Sequence, residues 1–308
     1  MDWFRKVRRS LISMAVVAMG FVIAPDAHAS DEAVTLKHDG LTLNGRLIVA
    51  DGNALTDGVV LITHGTLAHN GMEIIQAMQS ALSERGHNSL AITLSLGLDN
   101  RAGMYDCKVP HTHKHSDALD EIGLWLDWLK GQGVDNVVLM GHSRGGNQTA
   151  WFAAERPDPV VKKVALIAPQ AWDEQGQAVS YEKGYGVPLT QRLEQAQQMV
   201  GAGKERELMS DIGFIYCPGA SASAEAFVSY YQPDPRMHTP NLIPKIKVPV
   251  LVVAATEDQV VKGLPQAMAP LVQSGQAQMK VVDGADHYFL DFYIEDAADA
   301  VDAFMTAE

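Results

Sequence analysis

The chain has 308 residues, 47% hydrophobic and 20% charged, with 37 acidic against 24 basic side chains and a formal charge of −13. Such an acidic surface repels nucleic acid and anionic membrane and does not suit a highly anionic substrate, so those partners are not expected. The length fits one large α/β domain with an insertion.

Arg5, Lys6, Arg8 and Arg9 open the chain, and Leu11 to Ala24 form an apolar run interrupted by Ser13 and Gly20. That run is shorter than the roughly 20 residues a membrane-spanning helix needs. Ala27-His28-Ala29 then supplies a small-x-small pattern ahead of a cleavage point after Ala29. Residues 1–29 are therefore expected to be a secretory signal peptide. The mature domain, 30–308, would be secreted or periplasmic with no stable membrane insertion. The Arg8-Arg9 pair leaves twin-arginine export open.

Val34 to His38 and Leu43 to Ala50 read as strands joined by an Asp39-Gly40 hairpin turn. Val59 to Thr63 is a short buried strand, followed by the turn His64-Gly65-Thr66. Met72 to Arg85 has helical periodicity through Ile74, Ile75, Met78 and Leu82, and Ser89 to Leu96 is the next strand. A polar loop runs from Gly97 to Lys114, and a helix begins at Ser116. Strands at 137–140, 161–168, 248–255 and 278–282 then alternate with helices, the last over 291–305. This alternation implies a mostly parallel central sheet with helices on both faces. The stretch 171–247 is too long for an ordinary connection. Rich in aromatics, and with a helix expected over Leu189 to Gly201, it reads as a cap above the carboxyl edge of the sheet.

Val137 to Met140 leads into Gly141-His142-Ser143-Arg144-Gly145. An apolar strand ending in Gly-x-Ser-x-Gly and followed by a helix is a nucleophile elbow, a sharp turn that leaves one hydroxyl exposed at its apex. With this motif in place, the chain resembles the α/β-hydrolase family over nearly all of 34–306 outside the cap. Three motifs carry the resemblance, in the family's order of Ser, then Asp/Glu, then His.

The resemblance implies Ser143 as nucleophile, His287 in Asp283-Gly284-Ala285-Asp286-His287 as base, and Asp258 after the strand ending at Ala255 as orienting acid. A serine hydroxyl attacks poorly unless a neighbouring base takes its proton, and the base needs a fixed tautomer. Glu257 is the nearest competitor to Asp258. Oxyanion donors are expected from the backbone N–H groups of Arg144 and Thr66, with Leu67 as alternative to Thr66. His64 is expected to orient its turn and to take no part in proton transfer.

Only Cys107 and Cys217 are present. A bridge between them is expected in an oxidising compartment, with two buried free thiols as the alternative. His111, His113 and His115 alternate near Cys107. They raise a metal site or a substrate contact, but the spacing fits no established zinc pattern, so an exposed polar loop is the expectation.

The reading is thus a secreted or periplasmic serine hydrolase cleaving a small-molecule acyl substrate, an ester first, through an acyl-enzyme, without metal or organic cofactor. A peptidase or amidase, an acyltransferase, and a non-catalytic binding or metal-carrying protein on the same scaffold stay open. Acyl group, leaving group and oligomeric state are not set by the sequence.

Overall fold

The computed structural model describes residues 29–307. The expected signal segment therefore lies, apart from Ala29, outside the described residues. Ten strands are described: β1 (Ser30–His38), β2 (Leu41–Val49), β3 (Val59–Thr63), β4 (Ser89–Thr93), β5 (Val137–His142), β6 (Val161–Ile167), β7 (Leu208–Phe214), β8 (Cys217–Ser223), β9 (Val250–Ala255) and β10 (Gln278–Val282). The helices are α1 (Glu73–Glu84), α2 (Asp117–Gly131), α3 (Arg144–Glu155), α4 (Glu174–Tyr185), α5 (Leu189–Gly201), α6 (Ala224–Tyr231), α7 (Leu264–Gln273) and α8 (Tyr293–Thr306).

Eight strands form one sheet in the order β1-β2-β4-β3-β5-β6-β9-β10. It is parallel from β4 to β10, while β2 runs antiparallel to both β1 and β4. This is the mostly parallel sheet with helices on both faces that the alternating elements implied. Two-residue periodicity divides the core. Leu61, Leu139 and Leu166 face the layer that holds Trp125 of α2 and Phe152 of α3. Ile62, Met140 and Ile167 face α1 and α8, meeting Ile75, Leu82 and Phe304. The central strands are buried on both faces, which is why they read as unbroken apolar runs and not as alternating ones.

Several boundaries differ from the sequence reading. β1 starts at Ser30, since its first residues pair with β2 across an exposed edge where hydropathy gives no signal. Helix α7 lies between the strands at 250–255 and 278–282, a span for which the sequence reading gives no helix bounds: Pro265 lies in its first turn, where proline is tolerated, but Pro270 sits inside it. Between β6 and β9 the chain forms α4, α5, the β7–β8 hairpin and α6 before returning through short 3-10 turns.

Candidate active site

Ser143 caps the end of β5 with φ 57° and ψ −122°, a left-handed conformation unusual for a residue with a side chain. The surroundings impose it. Its N–H donates to the Ile167 carbonyl of β6 (2.9 Å), and its own carbonyl accepts from Gln170 (3.0 Å). The strand-to-helix reversal also brings backbones into contact. A Cβ on Gly145 would overlap the carbonyl oxygens of His64 and Thr63, and one on Gly141 would overlap that of Gly145. Strain at such a turn, on the order of 1–3 kcal/mol, is held by these contacts.

His287 stands on the loop between β10 and α8. Its Nε2 lies 2.9 Å from Ser143 Oγ, and its Nδ1 lies 2.8 Å from Asp258 Oδ2. The loop is fixed to the one after β9: Glu257 N–H donates to the Ala285 carbonyl, and Gly284 N–H donates to Thr256 Oγ1. All three side chains are buried. The second oxygen of Asp258 accepts from the N–H groups of Val260 (2.7 Å) and Val261 (2.8 Å). Burial alone would raise the Asp258 carboxyl, but the bonds from His287, Val261 and Val260 outweigh it and hold the group below its ordinary pKa. An ionised Asp258 accepts Nδ1–H and leaves Nε2 free to accept from the serine. Glu257, the competitor, is exposed and makes no such contact.

The turn after β3 faces the start of α3. Arg144 is the first helical residue, so its N–H has no acceptor within the helix. Its side chain reaches back, Nε donating to Thr66 Oγ1 at 3.0 Å, so the two turns expected to carry the oxyanion donors are tied together. Next along, Leu67 adopts φ 57°. His64 is fully buried: Nδ1–H donates to the Gly65 carbonyl, and Nε2 accepts from Leu94 N–H and Arg101. Burial, then the charge of Arg101, pushes its pKa down to about 3, so it is a neutral brace. A cavity of about 430 Å³ opens beside Arg144, against α4 and the β7–β8 turn.

Residues 59–304 match the family described as Alpha/beta hydrolase family. The chain belongs to that family. No curated protein matches the sequence. Among solved structures this alpha/beta hydrolase is similar to Est1E from Butyrivibrio proteoclasticus with ferulic acid bound, at 20% identity and a TM-score of 0.62, covering 89% of this chain and 98% of that one. It is also similar to the Paleococcus ferrophilus monoacylglycerol lipase, at 18% identity and TM-score 0.59, covering 85% and 98%. An alpha-beta serine hydrolase homologue from Coxiella burnetii matches at 16% identity and TM-score 0.53, covering 93% and 100%. At these identities the likeness establishes the fold.

The histidine loop is where this hydrolase departs most from its sequence reading. Asp106, Cys107, Lys108, Pro110 and Thr112 of the loop are exposed as expected, but His111, His113 and His115 are all buried. Their alternation does point them to one side, but that side is packed. His111 pairs by backbone with Ser221 and Ser223 of β8, and its ring lies between Tyr105 and Phe214. His111 Nδ1 meets His113 Nε2 at 3.2 Å, and His113 Nδ1 meets the Tyr230 hydroxyl at 2.8 Å. His115 Nε2–H donates to Asn147 of α3, and its Nδ1 accepts from Arg144. Burial is the first cause that lowers all three, His111 to about 4 and the others to about 3. Among the described residues, no group of three His, Cys, Asp or Glu is placed to hold a metal ion. Cys107 and Cys217 form a disulfide that ties this loop to β8.

The sequence reading gave no role to two further residues near the site. His142 donates Nε2–H to the His287 carbonyl at 3.0 Å and packs against that ring. Arg101, in the loop after β4, donates to the carbonyls of Leu94, Gly103 and Ala68 as well as to His64. Position inside the Gly-x-Ser-x-Gly motif was the one hint for His142. Arg101 looked like any charged loop residue.

Proposed function

We propose that this alpha/beta hydrolase is an exported serine hydrolase that cleaves a carboxylic ester through an acyl-enzyme. The observation that carries the reading is His287, whose two nitrogens lie within hydrogen-bond reach of Ser143 Oγ and Asp258. Ser143 would attack the acyl carbonyl as His287 takes its proton, and the imidazolium would then protonate the leaving alcohol. Asp258 holds the tautomer and offsets the imidazolium charge. The N–H groups of Arg144 and Thr66 are assigned to the developing oxyanion. Water attacking the acyl-enzyme, again with His287 as base, releases the acid.

An ester is favoured over an amide because an alcohol departs more readily than an amine, and the similarity to an esterase and a monoacylglycerol lipase supports that choice. Export rests on the signal-like leader and the disulfide, which persists in oxidising compartments. Among the described residues no helix is long and apolar enough to cross a membrane.

The test is labelling with a fluorophosphonate probe, alongside rates on p-nitrophenyl esters and peptide anilides. Labelling that Ser143→Ala abolishes, with ester cleavage, is the expected result. Cleavage of anilides alone would overturn the ester choice, and product transferred to added alcohol would mark an acyltransferase. An unlabelled, folded protein would favour the non-catalytic alternative.

A further inference from the structure

The cavity beside Arg144 differs in charge from the rest of the molecule. The protein carries 37 acidic residues, yet none of the residues lining this cavity is acidic. Its walls include Tyr181, Tyr185, Tyr216, Tyr231 and Gln177, and the one charged lining residue is Arg144. Three tyrosine hydroxyls are already engaged: Tyr181 donates to the Gly213 carbonyl, Tyr231 accepts from Ile215 N–H, and Tyr185 accepts from Tyr216 N–H. What the cavity offers is ring surface, one guanidinium and the polar groups of Gln177, Ser180 and the tyrosine hydroxyls that still have a donor free.

That guanidinium is held on three sides by neutral groups. Nε donates to Thr66 Oγ1, Nη1 donates to His115 Nδ1, and the Tyr230 ring lies 5.1 Å from Cζ. Among the described residues no carboxylate lies within ion-pair distance of it, nor of Arg101, Arg192 or Arg206, whereas Arg46, Arg85, Arg156 and Arg236 each have at least one. His115 in turn is fixed by Asn147, so the cation cannot swing toward a distant acid without giving up its partners. Pre-oriented, partly buried and without a counter-ion, it is a ready partner for an anionic oxygen pair.

We propose that Arg144 anchors a carboxylate on the ester substrate, making this an esterase for half-esters or carboxylate-bearing esters with an apolar or aromatic body. The proposal rests on the ester-hydrolase reading and adds the substrate class. The acidic surface excludes polyanions but not a single carboxylate entering a cavity with a local positive charge.

Two matched pairs test it, one with the carboxylate on the acyl side and one with it on the alcohol side. The first compares mono-p-nitrophenyl adipate with its neutral methyl ester, and the second compares 4-butanoyloxybenzoate with its methyl ester. The expected result is an acid-over-neutral ratio of kcat/KM of about ten- to hundredfold in one pair, as a charge-assisted contact gives. The ratio should collapse toward one in Arg144→Gln, be partly kept in Arg144→Lys, and shrink as salt is raised. Using a ratio separates this role from any loss through the Thr66 contact, which would slow both members alike. Ratios near one in both pairs of the wild-type enzyme would overturn the proposal, as would a preference unchanged in Arg144→Gln. If neither ester is cleaved, the ester reading fails. The carboxylate site is then judged by whether adipate slows fluorophosphonate labelling of the wild type, and unaffected or absent labelling overturns it.

Discussion

Asp258→Asn isolates the part that hydrogen bonding plays in this site. The carboxylate has two faces. Oδ1 accepts from the N–H groups of Val260 and Val261, and Oδ2 accepts from His287 Nδ1. An asparagine placed there must turn its carbonyl oxygen to the two valine N–H groups, because an NH₂ facing two donors would leave buried groups unpaired. Its NH₂ then points at Nδ1, which can only accept. The imidazole proton moves to Nε2, where it donates to Ser143 Oγ, and the base can no longer take the serine proton. The expected fall in kcat/KM is about 10³–10⁴-fold, or about 4–5.5 kcal/mol of lost transition-state stabilisation.

Asp258→Ala leaves the tautomer free, so it should retain at least as much activity as the asparagine variant although it removes more atoms. The assay is the initial rate on a p-nitrophenyl ester, with near-ultraviolet circular dichroism confirming that both variants keep the native fold. Glu257→Gln serves as the exposed neighbour and should stay near wild type. A loss of less than about tenfold in Asp258→Asn would refute the reasoning, as would asparagine clearly outperforming alanine.

Stability should depend steeply on acid. His64, His113, His115 and His142 are held near pKa 3 and His111 near 4, against an ordinary value of 6.5, with burial as the first cause in each. The unfolded chain binds these protons first, so full stability holds above pH 6.5 and is lost as pH falls toward 4. The loss is about 1.4 kcal/mol per imidazole between pH 7.5 and 5.5, and a urea midpoint flat over that range would contradict it. Replacing both Cys107 and Cys217 by serine opens a bridge with sequence separation 110, expected to cost about 5 kcal/mol by loop entropy. Calorimetry should then show Tm lower by roughly 8–10 °C, and a fall below about 2 °C would refute this. Gly145→Ala forces a methyl into the His64 carbonyl. It should push α3 off β3, abolish ester cleavage and lower Tm, while a fully active variant would show that the close approach is dispensable.

The acid-sensitive groups and the candidate site share one support. Arg101 holds His64 and the Thr66 turn, while His115 holds Arg144, which reaches the same turn from the other side. The disulfide fastens the histidine loop to the β7–β8 hairpin whose turn borders the cavity. Weakening the bridge is thus expected to loosen the cavity wall together with the fold.

What the sequence determined by itself is what short-range chemistry encodes. The buried strands are apolar because both faces are covered, and the elbow needs Gly141 and Gly145 because backbones touch there. Ser143, Asp258 and His287 each follow a strand, and that order together with the family resemblance nominated them. Tertiary structure alone decided the fate of His111, His113 and His115. Their partners, Phe214, Tyr230 and Asn147, are far away in sequence, and a polar loop looks the same whether solvent or an aromatic insertion will cover it. The same holds for Arg101 and His142, whose roles come from carbonyls delivered by other segments. Hydropathy reports a residue's own preference for water, while burial of a polar side chain depends on partners that only the folded chain supplies.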